Sequence, residues 1–355
     1  MCKSPIHVFL QALPKCEHHI HLEGALTPSL LFELAARNNT TLPADDHAFL
    51  SAESLRLRYD HFTSLDDFLN YYYIGMSVLI HSSDFEALAW SYFQRAAADG
   101  VHHAEVFFDP QAHTSRGVAY STVLSGFTIA RDRACKELGM STELICCFLR
   151  HLPPADCLVT FNQAELQESF EHGAVAGIGL DSSELDFPPQ LFGELYRKAG
   201  EQGLRRTAHA GEEGPAAYIA NAIDTLGVER IDHGIKLAED GELMRRVAES
   251  GIMLTTCPLS NVLLRCVKSV AEVPIRRFLD AGVRFSINSD DPAYFGGYIL
   301  DNYCAVQEAH NLSVAEWESI CRASIEGSWC EQDRKDELLQ ALQRVMHDWT
   351  GRPLV

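Results

Sequence analysis

The sequence is short of positive charge. It carries 29 Lys and Arg against 49 Asp and Glu, a formal net charge of −20. Nucleic acid and anionic membrane both attract basic surfaces, so neither is the expected main partner. A small neutral or cationic ligand suits the balance better, although acidity also serves solubility alone. Long apolar runs are missing too. None approaches the ~20 residues that span a bilayer. The opening stretch MCKSPIHVFLQALPK has no long apolar segment before a small-residue cleavage site, so no secretory signal is apparent. Cysteine is present but unpaired in pattern: there are 11, an odd number, with no Cys-x-x-Cys. Cys146 and Cys147 adjoin within an apolar stretch, where strand alternation would turn them to opposite faces. Reduced, buried thiols are expected in a protein of the cytoplasm, and of the nucleus as well, rather than a disulfide framework. Fixed-period repeats, low-complexity tracts and an early glycine-rich phosphate loop are also absent. The last of these argues against a doubly wound dinucleotide fold.

What the chain does have is a recurring short β-rich run that ends in polar residues. Eight are visible: CEHHIHLEG from Cys16, AEVFFDP from Ala104, ELICCFL from Glu143, AVAGIGLDSSE from Ala174, RRTAHAGE from Arg205, ERIDHG from Glu229, GIMLTTCP from Gly251 and VRFSINSDDP from Val283. Helix-like segments such as PPQLFGELYRKAGEQG and DGELMRRVAES separate the later ones. Alternating strand and helix implies a parallel sheet. Eight units imply a closed (β/α)8 TIM barrel, which typically needs ~250 residues. The chain has 355 residues and is 46% hydrophobic, enough for one large domain. The surplus falls after the eighth strand and over 27–100, between the first two. That insertion reads as helices packed over the C-terminal mouth of the barrel, since a structureless loop of this length would be improbable.

The C-terminal strand ends of a barrel share one rim, where barrel enzymes keep their active sites. His19 and His21 are two apart on a strand, so both point to one face, the barrel interior. His18 points the other way and reads as structural. Alone, His-x-His is weak evidence for a metal. His209 ends the fifth run, and Asp290, with Asp291 beside it, ends the eighth. Three imidazoles and one carboxylate from three strand ends suit Zn²⁺, and an open position would make the site catalytic. His233, ending the sixth run, reads as a fourth ligand, a core histidine or a base; with four ligands in place, the base is favoured. Glu212 is placed to donate a proton from the opposite side.

HIHLEGAL, HAGE, RIDHG, CPLSN and SDDP, in this order and spacing, resemble the adenosine/adenine deaminase family of metal-dependent barrel hydrolases. The resemblance runs from Lys15 to about Tyr298. It implies one Zn²⁺ held by His19, His21, His209 and Asp290. It implies Glu212 as proton donor to purine N1, His233 as the base that orients the attacking oxygen, and Asp291 as partner of N7. Nucleoside deaminases of the family usually have Asp where this chain has Glu23, and a glycine-containing turn at the position of Ser182. Those two residues, with AYFGGY after the Asp pair, resemble the adenine branch. The expected function is therefore hydrolysis of adenine to hypoxanthine and ammonia in purine salvage, with a small-molecule purine as partner. The alternatives are an adenosine or N6-substituted adenine nucleoside or nucleotide deaminase, and an inactive purine-binding relative. Assembly is left open between a monomer and a homodimer. Glu23 is expected to face inward above the metal, two residues beyond His21, and to meet the ring edge that would carry a sugar.

Overall fold

A computed structural model describes residues 4–350. Eight strands form one sheet in sequence order: β1 (Lys15–Glu17), β2 (Val101–Phe108), β3 (Ser141–Leu149), β4 (Gly177–Asp181), β5 (Arg205–Ala210), β6 (Arg230–His233), β7 (Met253–Thr256) and β8 (Phe285–Ile287). Every neighbouring pair is parallel, and the sheet curls into a nearly closed barrel with helices around it. This is the (β/α)8 architecture expected from the eight runs.

The first and last strands are shorter than expected. β1 is regular only to Glu17, and β8 ends at Ile287. Beyond them the two chains meet through isolated pairing of Ile20 with Asp290. The His21 N–H donates to the Asp290 carbonyl (3.0 Å), and the Asp290 N–H donates to the His19 carbonyl (3.0 Å). The Phe107 N–H donates to the Ile20 carbonyl (2.8 Å), tying the same segment to β2. After His21 the chain leaves extended geometry for a 3₁₀ turn, Leu22–Ala25.

Cys146 and Cys147 do point to opposite faces. Cys147 joins Phe107 and Ile145 inside the barrel, and Cys146 joins the larger core between strands and helices. The insertion over 27–100 divides. The helix Leu65–Met76 roofs the mouth, starting at Ser64, whose side chain accepts from the Asp67 N–H (3.1 Å). Its residues Leu65, Phe68, Leu69, Tyr72 and Tyr73 recur at the i, i+3, i+4, i+7, i+8 spacing of one helical face, and all line the cavity beneath. The helix Ser82–Ala98 instead lies on the outside of the barrel, against the helix Tyr120–Leu138. Gly126 permits that approach, since a Cβ there would lie 2.6 Å from Phe85 Cβ. Among the described residues, no helix is long and apolar enough to cross a membrane.

The opposite end of the barrel holds a buried ion pair between Arg230 and Glu105. The Arg230 guanidinium also stacks 3.9 Å from the Trp329 ring, and His103 Nε2 lies 3.1 Å from Glu105 Oε1. Burial pushes the Glu105 carboxyl upward, but the Arg230 charge and the His103 hydrogen bond outweigh it and hold the group well below the usual carboxylate range. Arg230→Met would leave that carboxylate buried and uncompensated. The expected loss is about 3–5 kcal/mol of folding stability, read as a lower urea midpoint. An unchanged midpoint would show that the pair contributes nothing.

Candidate active site

Three imidazoles and a carboxylate converge at the rim. His19 Nε2 lies 3.1 Å from Asp290 Oδ1, His21 Nε2 lies 3.5 Å from the same oxygen, and His21 Nε2 lies 3.4 Å from His209 Nε2. The four ligand-type atoms all lie within 4.8 Å of one another, and all four side chains are buried. The other ring nitrogens face polar side chains. His19 Nδ1 meets Thr255 Oγ1 at 2.9 Å, His209 Nδ1 lies 3.6 Å from Asp232 Oδ2, and His21 Nδ1 lies 3.6 Å from Asp181 Oδ2. Asp232 is itself held by the hydroxyls of Thr207 (2.7 Å) and Thr255 (2.9 Å). Ligating histidines are oriented by partners of this kind.

The residues fit a metal ion. His19 Nε2 is buried and has no hydrogen-bond partner. Burial pushes His21, His209 and His233 below the ordinary imidazole range, His233 to about 3, so these rings are neutral and free to donate lone pairs. Asp290 behaves oppositely: burial opposes its charge, but His19 beside it holds the carboxyl well below its usual range. Three nitrogens and one oxygen are a zinc-type donor set. Cys257 also reaches His19, His233 and Asp290, but burial pushes its thiol far up, and the thiol is a poor ligand unless ionised.

Around this cluster stand the other expected residues. Glu212 follows β5 and presents Oε2 3.4 Å from His233 Nε2. Burial, with the charge of Asp290 next, raises its carboxyl well above the usual range, which favours its protonated form. His233 Nε2 lies 3.7 Å from Asp290 Oδ2, while its Nδ1 is 3.2 Å from Asn261 Nδ2. Asp291 is buried at the start of the short helix Pro292–Phe295, and its Oδ1 has no partner. Gly24 packs directly on it: a Cβ there would sit 2.6 Å from Asp291 Cγ. Ser182 stands at the end of β4 with φ +73°, and its hydroxyl lies 2.8 Å from His151 Nδ1. A cavity of about 400 Å³, including space open to solvent, connects His21, His209, Glu212, His233, Asp290, Asp291 and Ser182 beneath the Leu65–Met76 roof.

Glu23 is placed differently from the expectation. The 3₁₀ turn rotates it off the strand face, and it does not line the cavity. It is fully buried; its Oε1 accepts from the Asp109 N–H (3.1 Å) and lies 2.9 Å from His113 Nε2.

Several supporting residues had no motif to mark them. Glu184 accepts from the backbone N–H groups of Gly211 (3.0 Å), Glu212 (3.1 Å) and Gly214 (2.9 Å), and so shapes the loop that carries Glu212. Gly214 is needed there, because a Cβ would collide with the Glu184 carboxylate. Asp109 and Asp181, which lie in the polar ends of the runs AEVFFDP and AVAGIGLDSSE, both line the cavity. The signal that could have found them is acidity at the last position of an otherwise apolar inward-facing run.

Known proteins align with this arrangement along nearly the whole chain. The adenosine deaminase family profile matches residues 14–345. A Schizosaccharomyces pombe protein named adenine deaminase is 59% identical over 99% of this chain and 96% of its own length. The adenine deaminase of Aspergillus fumigatus is 61% identical, covering 96% and 97%. The crystal structure of an adenine deaminase from Arthrobacter aurescens superposes with a TM-score of 0.88 at 44% identity, covering 96% of this chain and 100% of that one. An amidohydrolase from Burkhoderia ambifaria, solved with bound Zn, superposes with a TM-score of 0.85 at 27% identity, covering 99% and 98%. On the strength of that match and of the shared barrel, the chain belongs to the adenosine deaminase family.

Proposed function

We propose that this protein is a zinc-dependent adenine deaminase that converts adenine and water to hypoxanthine and ammonia, a reaction of purine salvage. The carrying observation is the convergence of three imidazoles and Asp290 beside a buried Glu212 in one cavity, in a chain closely similar to proteins named adenine deaminase. Zinc held by His19, His21, His209 and Asp290 would supply a Lewis acid that makes water reactive at neutral pH.

The chain's own residues do the rest. Glu212 gives its proton to N1, which prevents negative charge from building on the ring as C6 becomes tetrahedral. His233, with Nε2 beside Asp290 Oδ2, orients the attacking water toward C6. Asp291 holds N7, and Gly24 behind it keeps the carboxyl in place. The C6–N bond then breaks. Of the water's two protons, one ends on the departing ammonia; the other returns to Glu212, replacing the one kept by N1. The roof helix Leu65–Met76 limits access of bulk water.

Three measurements test this. Ultraviolet assays with adenine, adenosine and N6-methyladenine in parallel should show adenine as the preferred substrate; faster turnover of adenosine would overturn the assignment. Protein purified without added metal should contain about one zinc per chain, and full activity without any transition metal would refute the metal's role. Glu212→Gln should keep the fold and the zinc but lose at least ~10²-fold in kcat, the range for a general acid. A variant keeping a tenth of the parent kcat would remove Glu212 from that role.

A further inference from the structure

Glu23 is fully buried and does not line the cavity, which leaves the sugar-bearing edge of the purine without an assigned partner. We propose that Asp109, at the end of β2, is the acceptor for the ring N–H at that edge, and that Glu23 acts through Asp109 as a positioning residue. The inference rests on the adenine reading above.

Cyclic order around the pocket places Asp109. Around a purine the hydrogen-bonding positions run N7, N9, N3, N1. Asp291 follows β8 and meets N7; Glu212 follows β5 and meets N1. Passing from β8 to β5 through β1–β4, the polar groups that line the cavity beyond the metal ligand His21 are Asp109 on β2, then Asp181 and Ser182 on β4. Asp109 thus falls at N9 and the β4 pair at N3. The assignment suits the chemistry, since the N9–H of adenine needs an acceptor. Asp181 already faces His21 Nδ1.

Asp109 also has hydrogen-bonding capacity to spare. Asp109 Oδ1 is buried without a hydrogen-bond partner, and Oδ2 accepts from the Tyr72 hydroxyl at 3.4 Å; the Asp181 carboxyl stands beside them, within hydrogen-bonding reach. Asp109 is the N-cap of the helix Pro110–Thr114, a position where Asp usually accepts from the helix backbone; here it makes no such bond. The carboxylate is turned to the cavity instead. Its backbone is held by Glu23 Oε1, which also meets His113 Nε2, and Arg116 Nη2 lies 2.8 Å from His113 Nδ1 on the far side. The buried turn Leu22–Ala25 therefore supports two pocket carboxylates at once, Asp109 through Glu23 and Asp291 through Gly24.

A purine substituted at N9 has no proton to give and would leave Asp109 unpaired. Sites built to bind a substrate N–H reject analogues lacking it by as much as ~10⁴-fold. The informative probe is 9-methyladenine, which lacks the N–H but carries no sugar. With the parent enzyme, kcat/KM for adenine should exceed that for 9-methyladenine by at least ~10²-fold. Asp109→Ala should shrink the ratio to less than tenfold, mainly through a higher KM for adenine. Glu23→Gln should shift the same ratio in the same direction, Glu23→Asp less so. In an Asp109→Ala background Glu23→Gln should add nothing, as expected for residues acting through one contact. Zinc content monitors folding, and Asp109→Asn, which keeps an acceptor oxygen, should retain more of the ratio than Asp109→Ala. An unchanged ratio in zinc-replete Asp109→Ala overturns the assignment of N9. Independent, multiplying effects of the two substitutions overturn the positioning role. If the parent enzyme turned over adenosine faster than adenine, the functional reading itself would fail, a result distinct from both.

Discussion

The site depends on how the barrel closes. β1 and β8 do not share a regular ladder; they are joined just beyond their ends by His21 N–H to Asp290 O and Asp290 N–H to His19 O. These two bonds bring the His-x-His segment and the Asp290 carboxylate into register. Residues 270 positions apart in the chain become adjacent because the sheet must satisfy its last edge. Asp290 pays for its place with φ +64°, in the left-handed region that side chains avoid. His233 (φ +60°) and Ser182 (φ +73°) share that conformation at the ends of β6 and β4. Strain of this kind persists only where the surroundings enforce it. Here the surroundings are the strands below and the packed rim above.

Charge is arranged by the same burial. The chain is strongly acidic, yet the carboxyls at the rim divide into two classes. Asp290 faces imidazoles and stays ionised; Glu212 and Asp291 face other carboxylates and burial without a cation, and are raised. Two adjacent buried acids are thus set apart, one held ionised and suited to a metal ion, the other pushed toward its protonated form. Glu212 gains its precision from Glu184, which fixes three backbone N–H groups of its loop.

Much of this was legible in the sequence, for physical reasons. Inward-facing runs ending in polar residues mark barrel strands because only their C-terminal ends meet water and substrate. His19 and His21 could be paired by strand alternation. Their partners could be placed only by closing the barrel. Glu184, Asp232 and Asn261 were not legible as functional, since they touch backbone or the far nitrogen of a ring, contacts that carry no spacing rule. The division of the insertion between roof and outer ring also escaped, because both helices have one apolar face and nothing in a single helix says what that face will meet.

Glu23 shows where periodicity stops being a guide. Alternation holds from His19 to His21 because Ile20 between them is paired on both sides, to Asp290 and to β2. One residue later no neighbouring strand remains to bond, and an unpaired extended backbone has no reason to persist in a buried place. The chain turns into 3₁₀ geometry, where Gly24 N–H donates to the His21 carbonyl (2.9 Å). That turn carries Glu23 away from the metal face and toward the backbone of Asp109. The extra methylene of Glu over Asp then has a structural use: it is reach, spent on the neighbouring strand end rather than on filling the space of a sugar.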